Sequence, residues 1–150
     1  MKAIVTLMVF TCLLMGCNFA KKEHKKVSIS TTKSITVQDP LKESMERGGV
    51  IYSNFCLQCH MADGKGVQGT FPPLAMSNWL EEKRTESIRA IKYGQIGAIE
   101  VNGEVYNSVM VAMGLTDDEI ADVLNYVMNS WGNTQNTMVT ETEVSKVFKE

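Results

Sequence analysis

Histidine is scarce in this chain of 150 residues, which contains only His24 and His60. Cysteine is nearly as rare, with four residues, and neither type occurs after His60. A structural zinc site normally needs four Cys or His ligands. Because Cys56, Cys59 and His60 are the only such residues in the C-terminal two thirds of the chain, the sequence does not predict a zinc-binding domain.

Acidic and basic residues are nearly balanced, since the formal net charge is only −2. This charge balance therefore gives no indication of nucleic-acid binding. The charges are unevenly spread, however. Residues 17–40 hold five Lys against two acidic residues, whereas the chain from Leu41 onward holds nine Lys or Arg against fifteen Asp or Glu. This distribution predicts a basic linker before an acidic domain, which is long and apolar enough to form a core.

No apolar run is long enough to span a bilayer comfortably, and the nearest candidate is residues 3–15. With Lys2 before it, this run is typical of the apolar part of a signal peptide. It ends in Leu-Met-Gly-Cys17, which resembles a bacterial lipobox. We therefore expect residues 1–16 to be a lipoprotein signal peptide and Cys17 to be the lipidated residue. An ordinary signal peptide or an uncleaved anchor would also fit the run.

Residues 17–40 are rich in Lys, Ser and Thr and contain almost no large apolar side chains. Such a composition cannot form a core, so we predict a flexible tether. Two or three acyl chains on Cys17 would hold the protein firmly at a membrane. The expected location is the bacterial cell envelope, as a membrane-anchored lipoprotein that faces the periplasm.

The remaining sequence predicts an all-α class, with one domain at residues 41–134 and a C-terminal tail at residues 135–150. Asp39-Pro40 is a favourable helix start, and Thr85 is a candidate cap for a helix that Gly94 stops. A short hairpin is possible around Asn102. Helices are predicted at residues 40–54, 78–82, 86–93, 117–131 and 140–148.

The clearest helix signal begins at Thr116, which forms a capping box with Glu119. The apolar residues that follow recur at the spacing of one helix face. They are Ile120, Val123, Leu124, Val127 and Trp131. In the tail, Thr140 and Glu143 form a second capping box that predicts a short helix ending near Phe148.

Residues 56–60 read Cys-Leu-Gln-Cys-His, which is the C-x-x-C-H signature of covalent haem attachment. On a helical turn, Cys56 and Cys59 lie on the same side and can reach two vinyl groups, while His60 can bond to the iron. A thioredoxin-type pair would require a βαβ context, which the helical pattern downstream does not provide. A plain disulfide would leave His60 unexplained. We predict one haem c on Cys56 and Cys59, with His60 as the proximal axial ligand.

The second axial ligand is expected to be a methionine, because no other histidine lies in the domain. Most methionines here are expected to be core or surface residues, since methionine commonly fills gaps in packing. Met61 is adjacent to His60 and cannot cross to the opposite face of a haem. Met110 and Met113 precede the last long helix and can close over that face, so both stay candidates.

Several motifs follow one another in a fixed order between residues 41 and 133. They are Gly49-x-x-Tyr52-x-x-x-Cys56, Phe71-Pro72-Pro73-Leu74, Ile91-x-x-Gly94, Val101-Asn102-Gly103 with Tyr106, and Leu115 to Ile120. In this order the chain resembles class I c-type cytochromes, and in particular the periplasmic monohaem domains that serve respiratory oxidases, dehydrogenases or nitrite reductases. The resemblance implies a cytochrome c fold of about four to five helices around one covalent haem.

The resemblance also implies roles for individual residues. The family's ligand methionine falls on Met110, but the family usually has proline next, where this chain has valine. That departure leaves Met113 as a rival. The carbonyl group that orients the proximal histidine falls on Pro72. The close crossing of the first and last helices falls on Gly49 and Tyr126.

An iron with both axial positions filled has no open site, so we predict electron transfer rather than an enzyme with a small-molecule substrate. The predicted protein is a membrane-tethered one-electron carrier in a respiratory or periplasmic redox chain. Its expected partners are an oxidase, a dehydrogenase or a reductase, and the membrane through the lipid anchor. If neither Met110 nor Met113 binds the iron, the alternative is an open haem site in a gas-binding protein or a small redox enzyme subunit.

Overall fold

The computed structural model describes residues 39–135 and 137–149. The predicted signal peptide, Cys17 and most of the predicted tether lie outside the described residues. The elements within these ranges are α1 (Pro40–Phe55), α2 (Leu57–His60), α3 (Asn78–Glu82), α4 (Arg84–Tyr93), β1 (Ile99–Val101), β2 (Glu104–Tyr106), α5 (Asp117–Val127) and α6 (Glu141–Ser145). The predicted all-α class is confirmed, with one two-stranded antiparallel hairpin as its β component. None of the helices described here has both the length and the apolar composition needed to cross a bilayer.

Helix α1 begins where its sequence predicts. The Asp39 carboxylate accepts a hydrogen bond from the backbone N–H of Leu41 at 3.0 Å, and Pro40 occupies the first turn. Proline is tolerated there because the first backbone N–H groups of a helix have no partner within it. At the other end, Cys56 is the C-cap residue of α1 and also the N-cap residue of α2, so the two helices follow each other directly.

Helix α4 begins at Arg84, so the prediction that Thr85 caps it was wrong. Only Lys83 separates α4 from α3, and its side chain makes no capping hydrogen bond. The hydroxyl group of Ser87 donates instead to the Lys83 carbonyl at 2.8 Å, and Arg84 pairs with Glu143 at 2.6 Å. A contact distant in sequence therefore helps to hold the start of this helix.

Helix α5 has the predicted capping box, with the Glu119 carboxylate accepting from the Thr116 backbone N–H at 2.9 Å. It ends at Val127, however, so the predicted extension to Trp131 was wrong. The side-chain amide of Asn133 donates to the carbonyls of Val127 and Leu74, both at 2.7 Å, and turns the chain back.

The central packing is the crossing of α1 over α5. A Cβ atom on Gly49 would lie 3.2 Å from the ring of Tyr126, so the predicted Gly49–Tyr126 contact is confirmed. Gly48 lies closer still, because a Cβ atom there would overlap the backbone carbonyl of Asp122. Both glycines are therefore explained by the approach of the two helices rather than by any turn.

A buried polar network joins the same two helices. The Ser44 hydroxyl donates to Asp122 at 2.6 Å, and Arg47 donates to both oxygens of that carboxylate. The Asn125 amide donates to Ser44 and to the carbonyl of Val139, whose N–H returns a hydrogen bond at 2.7 Å. These partners satisfy the buried polar atoms that the helix crossing removes from water.

Residues 139–148, which we call the C-terminal strap, pack against α4 and α5. The side chains of Val139, Val144 and Val147 are buried in the same core as α5. Thr140 caps α6 by accepting from the N–H of Glu143, and α6 ends at Ser145, before the predicted end at Phe148. The tail predicted from sequence is thus part of the folded core.

Candidate functional site

An apolar cavity of about 1240 Å³, a volume that includes open solvent at its mouth, lies between the end of α1, the loop after α2, α4, the hairpin and α5. The residues predicted to surround a haem all line this cavity. They are Cys56, Cys59, His60, Pro72, Met110 and Met113.

The two cysteines reach the cavity because α1 passes directly into α2. The backbone N–H of Cys56 bonds to the Tyr52 carbonyl, and the N–H of His60 bonds to the Cys56 carbonyl, both at 2.9 Å. Cys56 and Cys59 are half-buried and are not joined in a disulfide. Burial, with a smaller effect of Cys59, raises the pKa of the Cys56 thiol to about 11. Before any covalent attachment, Cys56 is therefore a neutral thiol at physiological pH.

His60 is the buried base of the cavity. Its Nδ1 atom lies 3.0 Å from the carbonyl oxygen of Pro72. Because a carbonyl can only accept, Nδ1 carries the proton and Nε2 keeps its lone pair. Burial lowers the pKa of His60, and the bond to Pro72 opposes this only in part. The imidazole is therefore neutral and suited to ligate a metal through Nε2.

Gly66 leaves the space that the Pro72 carbonyl needs to lie near His60. It has a φ of +64°, and a Cβ atom there would overlap the carbonyl of Phe71 and approach that of Pro72 at 2.6 Å. Its N–H donates to the His60 carbonyl at 3.1 Å. The loop can therefore fold back onto the histidine only with glycine at this position.

Both candidate methionines lie between β2 and α5 and line the cavity. We call residues 107–116 the methionine loop. Met110 exchanges two backbone hydrogen bonds with Gln95, at 2.8 and 2.9 Å, and Gly94 packs closely on the Met110 carbonyl. The N–H of Met113 lies 3.5 Å from the Ile91 carbonyl. The backbones of both methionines are thus tied to the end of α4 and the residues just after it.

The other methionines of the described residues lie outside the lining of this cavity. Met128 is buried in the core, whereas Met76 is exposed. Met61 uses its carbonyl to accept from the Tyr52 hydroxyl at 2.7 Å. The prediction that most methionines fill space or lie at the surface agrees with these positions.

The donor set in the cavity fits a covalently attached haem. Two thiols three residues apart can form thioethers, a neutral imidazole can bind iron, and a thioether sulfur is a common sixth ligand. The remaining lining is largely aliphatic and aromatic, and includes Leu124 and Val127 of α5. Such a lining excludes water from a flat apolar macrocycle.

The rim of the cavity is a feature that the sequence analysis missed. Phe55, Val109 and Val111 line the cavity and are nevertheless 48%, 62% and 66% exposed. We call these three residues the apolar rim. They lie in residues 48–62 and 105–116, which contain no Asp, Glu, Lys or Arg. This gap in an otherwise charged sequence is the signal that could have identified the rim.

Comparison with known proteins agrees with this geometry. The family model described as cytochrome c matches residues 45–131. The chain is 41% identical over 93 residues to cytochrome c-552 of Thermus thermophilus, which covers 59% of this chain and 70% of that protein. It is 30% identical over 104 residues to the cytochrome c subunit of the quinone alcohol dehydrogenase of Gluconobacter oxydans, which covers 67% of this chain but 21% of that subunit.

A third relative is subunit CcoP of the cbb3-type cytochrome c oxidase of Rubrivivax gelatinosus, 27% identical over 114 residues. The match covers 75% of this chain and 34% of that subunit. The chain therefore spans only a minor part of the dehydrogenase and oxidase subunits that it resembles.

Proposed function

The chain belongs to the cytochrome c family, with one covalent haem c and a role in electron transfer, and from this premise we propose that it is a membrane-tethered one-electron carrier in a respiratory or periplasmic redox chain. The observation that carries the proposal is the cavity in which two thiols, a neutral imidazole and two thioethers meet. The domain is not itself catalytic, because both axial positions of the iron are assigned to side chains.

We assign the attachment to Cys56 and Cys59. Their thiols would hold the haem as two thioethers. His60 would ligate the iron through Nε2, while the Pro72 carbonyl accepts from Nδ1–H and so fixes the plane of the imidazole ring. When bound, haem c supplies a reversible one-electron step between ferric and ferrous iron.

We assign the distal position to Met110. Its backbone is held by two hydrogen bonds to Gln95, whereas Met113 has one long contact to Ile91. A ligand on a well-held backbone loses less entropy when its sulfur is fixed on the iron. This difference supports Met110, and the Met/His pair is expected to raise the reduction potential.

Separate Met110→Ala and Met113→Ala substitutions test the assignment. We expect the wild-type ferric protein to be low-spin, with the weak far-red band of thioether–iron ligation. The Met110 variant should lose this band and bind carbon monoxide in its ferrous form, while the Met113 variant keeps the band. Loss of the band in the Met113 variant alone would reassign the ligand. A high-spin wild-type protein that binds carbon monoxide would refute the carrier function.

We further propose that redox proteins exchange electrons with this domain at the apolar rim. Relatives named as subunits of a dehydrogenase and of an oxidase support a protein partner of that kind. The rim is where the cavity opens to solvent between exposed apolar side chains. The partner is therefore expected to present an apolar surface next to its own redox centre.

Finally, we propose that Cys17 is lipid-modified and that residues 17–40 tether the domain on the periplasmic face of the bacterial envelope. The lipobox-like end of the apolar run supports this location. A Cys17→Ala substitution should move the haem protein from the membrane fraction to the soluble fraction, whereas Cys12→Ala should not. Mass spectrometry of the N-terminal peptide should find the acyl chains on Cys17.

A further inference from the structure

We propose that Lys92 is a positioning residue that couples the C-terminal strap to the methionine loop and so limits how often the distal side of the iron opens. The inference rests on the proposed function, since it assumes that a methionine of this loop binds the iron. It concerns a lysine that does not line the cavity and a segment beyond residues 45–131, which the family model matches.

The ammonium group of Lys92 makes two contacts at once. Its Nζ atom lies 2.8 Å from a carboxylate oxygen of Asp117 and 3.0 Å from the carbonyl oxygen of Val144 in the strap. Only 17% of the Lys92 side chain and 30% of the Asp117 side chain are exposed. A pair this well shielded is stronger than an ordinary surface ion pair, because water and salt screen it less.

Asp117 is the first residue of α5, so it directly follows the methionine loop. The loop and Asp117, the residue that follows it, therefore meet the last turn of α4 and the residues just after it at three places. Gln95 pairs with Met110, Ile91 faces Met113, and Lys92 holds Asp117 at the end of the loop. The third contact is made by side chains and can be removed without changing the backbone.

The strap also fixes the position of the Lys92 side chain, because the Val144 carbonyl accepts a hydrogen bond from its ammonium group. Val144 is fully buried, and the Tyr93 hydroxyl donates to the Val147 carbonyl at 3.1 Å. The Val144 carbonyl is thereby held in place beside the ammonium group. A lysine whose rotamer is already fixed loses little further entropy when it pairs with Asp117. The strap thus supports the methionine loop without touching the cavity.

The test is the rate at which imidazole binds to the ferric holoprotein, because an added ligand must wait until the methionine leaves the iron. Lys92→Met keeps the length of the side chain and removes its charge. We expect it to raise the association rate about tenfold, as for the loss of a charge-assisted hydrogen bond. Asp117→Asn should do the same, and the double variant should be no faster than either single variant.

The strap is tested by Val144→Ala, which should raise the imidazole association rate in the wild-type background but not in the Lys92→Met background. Lys65→Met is the matched control. It breaks an exposed Lys–Asp pair with Asp63, in which the side chains are 76% and 56% exposed, and it should leave the rate unchanged.

Ser44→Ala separates positioning from general stability, because it weakens the α1–α5 network away from the methionine loop. If Ser44→Ala and Lys92→Met lower the free energy of unfolding equally and raise the imidazole rate equally, the positioning role is overturned. A Lys92→Met protein with the wild-type rate also overturns it. Absence of the far-red band in the wild-type protein would refute methionine ligation itself, before any variant is made.

Discussion

Gly48 and Gly49 are adjacent in α1, yet they meet different kinds of neighbours on α5. A Cβ atom on Gly48 would overlap a backbone carbonyl, that of Asp122, which cannot move without shifting the helix. A Cβ atom on Gly49 would meet the ring edge of Tyr126, which can rotate slightly. The requirement for glycine therefore differs between neighbouring positions of one helix.

We expect Gly48→Ala to destabilise the holoprotein by about 1–3 kcal/mol, because overpacking of the helix crossing outweighs the gain in helix propensity. Gly49→Ala is expected to change stability by less than about 1 kcal/mol, because propensity and crowding nearly cancel. Guanidinium unfolding monitored by circular dichroism measures both. Equal stability of the two variants would contradict the packing explanation.

Individual site residues are predictable from sequence where they are contiguous. Cys56, Cys59 and His60 occupy one turn, so their spacing alone carries the haem prediction. The choice between Met110 and Met113 is different, because it depends on how their loop pairs with Gln95, which lies just after α4. Gly48 was missed for the same reason, since its neighbour Asp122 is far away in the chain.

At the scale of elements, local capping predicted the starts of α1 and α5 but not that of α4. The Asp39 carboxylate accepts from the N–H of Leu41, and the N–H of Thr116 donates to the Glu119 carboxylate. Both partners lie within three residues of each other, so the sequence contains the whole interaction. Arg84, at the start of α4, pairs with Glu143 of α6 instead. Such a contact forms only once the strap has docked, and no sequence window includes both partners.

The Arg84–Glu143 pair predicts a pH-dependent contribution of the strap to stability. The hydrogen bonds from Arg84 lower the pKa of Glu143 below its usual value, so the pair stabilises the fold above the ordinary Glu pKa of about 4.3 and loses that contribution as the pH falls further. Glu143→Gln should therefore destabilise the protein at pH 7, and the difference from wild type should shrink below about pH 4.

The control for this experiment is Glu141→Gln, which removes the same charge from the exposed first turn of the same helix. Thermal unfolding at a series of pH values gives the two differences from wild type. An effect of Glu143→Gln that is constant with pH, or that equals the effect of Glu141→Gln, would show that the pair with Arg84 does not carry the stabilisation.

At the scale of the whole molecule, the charge and the cavity mouth are separated. From Leu41 onward the sequence has fifteen acidic and nine basic residues, yet the two segments that form the apolar rim have none. Long-range repulsion or attraction therefore arises from surfaces other than the one where electrons would pass. The field of the domain can affect how often a partner arrives, while the contact that we propose at the rim would be made by apolar side chains.

Electron self-exchange between two copies of the protein tests this separation without a known partner. Two rims must meet for an electron to pass, and they meet as uncharged surfaces, so we expect the wild-type rate to rise only modestly when salt screens the acidic domains. Val111→Glu places a carboxylate on each rim. When two rims meet, both carboxylates must be desolvated and they repel each other. Nuclear magnetic resonance line broadening in mixed ferric and ferrous samples should then show self-exchange slowed several-fold at low salt.

The matched control is Val50→Glu. Val50 is 63% exposed and does not line the cavity, so this substitution should leave the low-salt rate close to wild type. Equal slowing by both substitutions would mean that net charge, and not the rim, governs the encounter.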